Sequence, residues 1–170
     1  MILSYGRQKI FSRDKLEILK AINNNLITSG PYVNRFENSI KKKLDSKYAS
    51  VCSSGTAAIH LAIEAIDTVE DDIFILPVIN FICASNILEQ KRAKIFYADV
   101  DPVTGQMTPK NLIDCIKTNK IKKIKAFFTM YLGGDPKNIE QFYDIKKKYK
   151  CFYIEDACHA LGSKYLFKNS

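Results

Sequence analysis

The stretch "IKAFFTMYLGGDPKNIEQFYDIKKKYKCFYIED" (residues 124–156) decides the fold. It contains two β-prone runs, 124–132 and 151–156, joined by a helical segment from Pro136 to Tyr149. Two strands connected through a helix lie parallel in one sheet, because the helix carries the chain back to the edge where the first strand began. The stretch therefore predicts a parallel β-sheet.

The same alternation of strand and helix fills the middle of the chain. Polar residues and a glycine precede a helix after Gly55, and a turn at 101–105 follows the second of two strands. The strands are predicted at 73–77 and 94–100, and the other helices at 81–90 and from Pro109 to Lys117. Parallel strands separated by helices are typical of an α/β domain with helices on both faces of a mostly parallel sheet.

The N-terminal quarter predicts two amphipathic helices and a short β-prone run. Apolar residues recur at helical spacing between 16 and 26, with Ser12 as the N-cap. A second helix begins at about Asn34, which has capping-box spacing to Glu37, and the β-prone run covers 48–52. No internal repeat or low-complexity linker interrupts the chain, so we expect one domain or part of one.

The composition is that of an ordinary globular protein. The 170 residues are 46% hydrophobic, no run approaches eighteen apolar residues, and the N-terminus lacks the apolar core of a signal peptide, so we expect a cytoplasmic protein without a membrane span. Five cysteines without a C-x-x-C pair suggest neither a zinc site nor disulfides, and we expect most of them to be buried.

The formal net charge of +8 comes largely from separated lysine runs. The lysine runs could form a binding surface for nucleic acid or another polyanion, or they could lie on solvated helix faces and loops. We favour the second reading, and expect no nucleic-acid partner, because no nucleic-acid motif or interleaved aromatic pattern accompanies the charge.

Ligands of parallel α/β sheets bind where the strands end, so four segments are candidates for function. They are Ser53–Ala58, Asn80–Phe81, Thr129–Gly134 and Glu155–Gly162. The first could bind a phosphate through free N–H groups at a helix N-terminus, or Ser53 or Ser54 could be a simple N-cap. Phe81 could pack on a flat ligand or be the first core residue of its helix. The paired glycines of the third segment allow a sharp turn or a close approach to a ligand, but they do not indicate which of the two occurs.

Asp156 carries the sharpest question, because a carboxylate at the end of a buried strand needs a cation or several donors. The partner could be a lysine or arginine of the core, or a ligand cation such as a protonated pyridine nitrogen. His159, three residues on, could turn toward the same place. A metal site is disfavoured, because the only other histidine, His60, lies within a helical segment.

Taken together, four motifs resemble the N-terminal part of the DegT/DnrJ/StrS-type sugar aminotransferases, and they occur in the same order and at similar spacing over essentially the whole chain. They are "ITSGPYVNRFE" (27–37), "SSGTAAIHLA" (53–62), "DVDPVTG" (99–105) and "IEDACHALGSKY" (154–165). The resemblance implies the aspartate-aminotransferase-like fold (fold type I) and the cofactor pyridoxal 5′-phosphate. It also implies amino transfer, usually from glutamate, to a keto group of a nucleotide-linked sugar, for amino sugars of surface polysaccharide.

The resemblance also implies roles for individual residues. The backbone around Gly55, Thr56 and Ala57 would hold the cofactor phosphate. Phe81 would stack on the pyridine ring, Asp156 would pair with the ring nitrogen, and His159 would bond the ring hydroxyl. Thr28, Ser29 and Gly30 would form a loop close to the active site. The assignment of these three residues to the substrate side is weaker.

Two departures from the family pattern bear on function. Many relatives have a histidine where this chain has Met130, which leaves the associated substrate preference open. The family's Schiff-base lysine lies further along than Ser170, and we interpret Lys164 and Lys168 as surface lysines.

We therefore expect residues 1–170 to be a single partial domain that lacks the C-terminal part, with an incomplete sheet, unable to catalyse transamination alone. The full-length protein is expected to be a homodimer, as is common in the family. The alternative is a non-catalytic remnant, or a cofactor-binding or interaction module without the lysine.

Overall fold

The computed structural model describes residues 9–166, and the chain divides into two compact units, Met1–Val51 and Cys52–Ser170. Of the residues discussed above, Lys168 lies outside the described range. The assignment of the whole chain to one partial domain stays a prediction.

The first unit contains the two predicted helices, α1 (Ser12–Ile22) and α2 (Pro31–Leu44). The predicted N-cap of α1, Ser12, is one residue too late, and the predicted start of α2 near Asn34 is three residues too late. The N-cap of α1 is Phe11, whose N–H donates to Asp14 Oδ2 at 2.7 Å. Helix α2 begins with Pro31, a residue suited to a first helical turn because it has no N–H to satisfy. Glu37 instead accepts a hydrogen bond from the Val51 N–H at 3.0 Å.

The second unit is an α/β sheet. Its helices are α3 (Gly55–Ala65), α4 (Cys83–Gln90), α5 (Pro109–Thr118) and α6 (Ile139–Tyr149). Its strands are β1 (Ile73–Pro77), β2 (Lys94–Ala98), β3 (Ala126–Met130) and β4 (Phe152–Asp156). The strand order is β2-β1-β3-β4 and every pairing is parallel, so the predicted parallel sheet is confirmed.

Two apolar cores cover the two faces of this sheet, as predicted. One core joins α3 and α4 to alternate strand residues such as Phe74 and Phe128. The other joins α5 and α6 to the intervening residues, such as Ile75 and Phe127. This alternation follows from the period of two along a strand, and it explains why the strands read as continuous apolar runs.

The β-prone run at 48–52 is not a strand in this structure. A strand needs a hydrogen-bonded neighbour, and none of the four strands in the described part of the chain pairs with it. Local β propensity alone does not create a ladder.

Three of the five cysteines are buried, as expected: Cys83, Cys115 and Cys151. Within residues 9–166, no helix has the length and apolar character needed to cross a membrane.

The carboxyl edge of the sheet is built from turns that contact one another. Asp101 closes the turn after β2 by accepting hydrogen bonds from Thr104 N (2.8 Å), Thr104 Oγ1 (3.0 Å) and Val103 N (3.1 Å). Gln106 then donates through Nε2 to the carbonyl oxygens of Leu132 (2.9 Å) and Asp135 (3.2 Å). The turn after β2 is thereby attached to the turn after β3.

The turn after β3 in turn contacts the segment after β4. It contains a short 3-10 helix, Leu132–Gly134, in which Gly133 and Gly134 have positive φ angles of 71° and 81°. A Cβ at Gly134 would lie 2.5 Å from the carbonyl oxygen of His159, and Ser163 Oγ donates to the Gly134 carbonyl at 2.6 Å. Glycine is therefore required at 134 for the close approach as well as for the backbone angle.

The two glycines provide a matched pair of substitutions. Gly133→Ala should cost about 1 kcal/mol in the free energy of unfolding, because only its positive φ is unfavourable and no atom lies within 4 Å of the added Cβ. Gly134→Ala should cost at least roughly twice as much, because the His159 carbonyl must also move. Urea unfolding monitored by circular dichroism measures both, and equal costs would contradict the described contact.

Asp101 predicts a pH-dependent contribution to stability. Its hydrogen bonds from Thr104 hold the pKa of the carboxyl below the ordinary 3.8. A lowered folded-state pKa means that the stabilisation is present above the unfolded-state pKa and is lost as the pH falls through the folded-state pKa.

We therefore expect the difference in urea midpoint between wild type and Asp101→Ala to be largest near neutral pH and to shrink on acidification through pH 4 toward pH 3. Asp101→Asn keeps an acceptor oxygen but does not titrate, so it is the control. A difference that stays constant over this range would contradict the assignment.

Candidate functional site

Helix α3 presents its N-terminus at the carboxyl edge of the sheet. Ser54 is its N-cap, with Oγ accepting from the Ala57 N–H at 3.1 Å, and the Ala58 N–H donates to the Ser54 carbonyl at 3.0 Å. The N-cap reading of Ser54 is thus confirmed. The N–H groups of Gly55 and Thr56, as the first two of the helix, have no intrahelical acceptor, so they remain available at the positive end of the helix dipole.

Asp156 is the last residue of β4, pairs with Met130 in register, and is 7% exposed. Its Oδ1 accepts a hydrogen bond from the Cys158 N–H at 3.1 Å. No lysine or arginine between residues 9 and 166 forms an ion pair with it. Of the two partners considered from the sequence, a cation of the core is therefore absent from the described part of the chain.

Helix α3 and the end of β4 line a partly open cavity of about 200 Å³. Gly55, Ala58 and Ala62 line it from the helix, and Asp156 and Cys158 are among the residues that line it from the strand side. A Cβ at Gly55 would lie 3.3 Å from Cys158 Sγ, so the small residue lets the helix start approach the strand end. The structure therefore brings Gly55 and Asp156, two of the predicted site residues, to one cavity.

The pKa of the Cys158 thiol reflects the negative charge of Asp156 at this cavity. Its hydrogen bond to the Asp156 carboxylate, together with burial and the nearby negative charge, raises the pKa of Cys158 to about 11. The thiol therefore stays protonated at neutral pH. Cys158 was not among the predicted site residues, although its position two residues after Asp156 is a signal for an aspartate turn.

Phe81, His159 and residues 28–30 lie on elements other than α3 and β4. Phe81 is 59% exposed in the loop between β1 and α4, so it is not a core residue of that helix. His159 is exposed in the turn after β4, where its carbonyl approaches Gly134. In the first unit, Thr28 and Ser29 lie between α1 and α2, and Gly30 is the N-cap of α2.

A chain of hydroxyl groups on the opposite face of β3 and β4 was missed by the sequence reasoning. Thr129 Oγ1 lies 3.0 Å from Tyr153 Oη, Tyr153 Oη lies 3.0 Å from Tyr131 Oη, and Tyr131 donates to the Glu155 carboxylate. The signal for it was the pair of polar residues at alternate positions 153 and 155, which lie on one face of the strand.

Within residues 9–166, no group of three or more histidine, cysteine, aspartate or glutamate side chains is placed to hold a metal ion. His60 Nε2 is 3.2 Å from Glu64 Oε1 on the exposed side of α3.

Comparison with known proteins places this arrangement in a family. The model of the DegT/DnrJ/EryC1/StrS aminotransferase family matches residues 8–169. The chain is 32% identical over 154 residues to GDP-perosamine synthase of Escherichia coli O157:H7, which covers 90% of the chain and 41% of the relative. It is 29% identical over 164 residues to a Campylobacter jejuni UDP-4-amino-4,6-dideoxy-N-acetyl-beta-L-altrosamine transaminase, with 96% and 43% covered.

Solved structures show the same fold. An aminotransferase from Psychrobacter cryohalolentis superimposes with a TM-score of 0.84 at 24% identity, over 92% of this chain and 39% of that one. NtdA from Bacillus subtilis with bound cofactor PMP gives a TM-score of 0.77 at 27% identity, over 90% and 35%. The chain spans about two fifths of the length of the curated relatives it matches. It has the predicted fold of the aspartate-aminotransferase-like large domain over that part, and it belongs to the DegT/DnrJ/EryC1/StrS aminotransferase family.

Proposed function

We propose that this chain provides the phosphate- and ring-binding part of a pyridoxal-phosphate-dependent aminotransferase that acts on a nucleotide-linked sugar. The observation that carries the proposal is the buried Asp156 carboxylate, which has no lysine or arginine partner in the described chain and shares a cavity with the start of α3. An anion-binding helix start and an anionic carboxylate at one cavity suit a ligand with phosphate at one end and a cationic ring nitrogen at the other.

The residues present fit the phosphate end of this cofactor. The N–H groups of Gly55 and Thr56 begin α3, and the dipole of an α-helix favours a negative group at its N-terminus. The N–H of Ala57 already donates to Ser54 Oγ. We therefore assign phosphate binding first to Gly55 and Thr56, and assign Ala57 a supporting role through the capped turn.

The residues also fit the ring end. A carboxylate beside a pyridine nitrogen favours the protonated nitrogen, because the opposite charge stabilises the charged form. When bound, pyridoxal phosphate supplies an electron sink and a carrier for the amino group. Asp156 would hold a proton at the ring nitrogen, and the Cys158 N–H would fix the orientation of the carboxylate.

The remaining roles are part of the same proposal. Phe81 would stack on the ring, since more than half of its surface is exposed at the carboxyl edge of β1. His159 would bond the ring hydroxyl, and Thr28, Ser29 and Gly30 would lie on the substrate side.

The reaction proposed is transfer of an amino group, from glutamate, to a keto group of a nucleotide-linked sugar during synthesis of amino sugars for surface polysaccharide. The relatives named GDP-perosamine synthase and UDP-amino-sugar transaminase support this substrate class. We also propose a homodimer for the full-length protein and a cytoplasmic location.

We assign no catalytic amine to the described residues. Lys164 is exposed in the segment after β4, and we interpret it as a surface lysine. The 170 residues alone would then bind the cofactor without catalysing transamination. The alternative is a cofactor-binding or interaction module without a catalytic role.

Binding of pyridoxamine 5′-phosphate tests the assignment of Asp156, because this form of the cofactor needs no lysine. We expect Asp156→Asn to raise the dissociation constant of the 170-residue chain about tenfold or more, since a charged partner of the ring nitrogen is lost. Isothermal titration calorimetry measures the constant, and inorganic phosphate should compete equally well with both proteins.

Asp99→Asn is the matched control, because Asp99 also follows a strand at the carboxyl edge, and its Oδ1 bonds the next N–H at 2.8 Å. Equal loss of affinity in both variants, or none in Asp156→Asn, would contradict the role of Asp156.

Borohydride reduction in the presence of pyridoxal phosphate tests the absence of a catalytic amine. We expect no site-specific cofactor adduct on the 170-residue chain when peptides are mapped by mass spectrometry. A stoichiometric adduct on Lys164 or Lys168 would contradict the expectation and assign the amine to this chain.

A further inference from the structure

We propose that Tyr131 is a positioning residue that fixes the Asp156 carboxylate from the opposite face of the sheet. The role matters for function only if Asp156 binds the cofactor ring, so this inference rests on the proposed function. The structural part of it, control of the carboxylate position, can be tested without any ligand.

Tyr131 contacts β4 in two ways. Its N–H donates to the Asp156 carbonyl at 3.1 Å, one residue beyond the last pair of the β3–β4 ladder. Its hydroxyl donates to the carboxylate of Glu155, the neighbour of Asp156. Backbone and side chain of one residue therefore hold the last two residues of the strand.

The hydroxyl contacts lie on the face of the sheet that packs against α5 and α6, and Glu155, as part of the strand end, also lines the cavity. Tyr153 belongs to the core beneath α5 and α6, and its ring stacks on Phe127 with centroids 4.7 Å apart. Ile154 packs in the core beneath α3 and α4. Because strand side chains alternate, Glu155 lies on the face of Tyr153, and Asp156 lies on the face of Ile154, toward α3.

Burying the hydroxyl chain costs free energy unless each hydroxyl has a hydrogen-bond partner. Tyr131 is 4% exposed and Thr129 is 3% exposed, and within residues 9–166 no fully buried side-chain nitrogen or oxygen lacks a hydrogen bond. Burial raises the pKa of Tyr131, as does its hydrogen bond to Glu155. Burial likewise raises the pKa of Tyr153. Both phenols therefore stay protonated and can donate.

A phenylalanine would fill the same volume, so packing alone does not account for the hydroxyl at 131. The hydroxyl selects one geometry, since it must reach Glu155 and Tyr153 together. Fixing Glu155 restricts the rotation of the strand end, and this restriction directs Asp156 into the cavity on the other face.

The variants are chosen to break and to restore this contact. Tyr131→Phe removes the donor and Glu155→Ala removes the acceptor, whereas Glu155→Gln keeps a carbonyl acceptor. Tyr97→Phe is the matched control. Tyr97 lies on the far edge strand β2, and its hydroxyl donates to Ser85 Oγ at 3.1 Å. Glu155 is exposed, so its variants should fold even if Tyr131→Phe does not.

The first measurement reports the Asp156 carboxylate in the ligand-free chain. Cys158 donates its N–H to this carboxylate, and the ionisable groups that act on its thiol are Asp156 and Cys83. We expect Tyr131→Phe and Glu155→Ala to speed hydrogen exchange of the Cys158 N–H about tenfold. Alkylation of Cys158 by iodoacetamide should shift its midpoint to lower pH in both variants, since the thiol loses its anionic neighbour.

The second measurement separates ring binding from phosphate binding. Tyr131→Phe and Glu155→Ala should each weaken pyridoxamine 5′-phosphate about tenfold and leave inorganic phosphate unchanged. The double variant should be no weaker than either single variant, because both break one contact. Glu155→Gln and Tyr97→Phe should match wild type.

Unchanged Cys158 exchange and alkylation in both Tyr131→Phe and Glu155→Ala would overturn the positioning role. Additive losses in the double variant, or equal losses for phosphate and pyridoxamine phosphate, would overturn it as well, because they indicate general destabilisation. If wild type binds no pyridoxamine phosphate, the proposed function fails separately, and the exchange and alkylation results still decide the role of Tyr131.

Discussion

A buried carboxylate, Asp156, that has no cationic partner among residues 9–166 is the constraint on which this structure depends. Removing a charge from water costs several kcal/mol unless partners replace the lost hydration. Asp156 accepts a hydrogen bond from the Cys158 N–H, but it has no ion pair with a described lysine or arginine. The start of α3 and the end of β4 meet at the cavity that Asp156 lines, and under the proposed function a cationic ring nitrogen would complete the environment of this carboxylate.

Much of the fold could be predicted because hydrophobic runs and turns agree over the middle of the chain. The strand at 73–77 was predicted to the residue, and the strand–helix–strand unit at 124–156 formed as a parallel pair. Local patterns failed where the outcome depends on a distant partner. The run at 48–52 has β propensity but pairs with none of the strands among residues 9–166, and Glu37 accepts from the Val51 N–H instead of closing a capping box at Asn34.

The site could be predicted only in part, because local patterns do not show which distant residues meet. The start of α3 and Asp156 follow from their places after a turn and at the end of a strand. The spatial link between them does not, since Gly55 and Cys158 are about a hundred residues apart in the chain and meet only through the sheet. The hydrogen bonds of Tyr131 could not be predicted, because its side-chain partners lie more than twenty residues away along the chain.

The most direct test of the cofactor site is chemical-shift mapping of pyridoxamine 5′-phosphate on the ¹⁵N-labelled chain by nuclear magnetic resonance. Saturable shifts should be largest at the N–H groups of Gly55, Thr56 and Cys158, because the first two would face the phosphate and the third bonds the carboxylate that would pair with the ring. Inorganic phosphate should shift Gly55 and Thr56 but leave Cys158 in place. Shifts confined to other parts of the chain, or none at saturating ligand, would contradict the assignment of this cavity as the cofactor site.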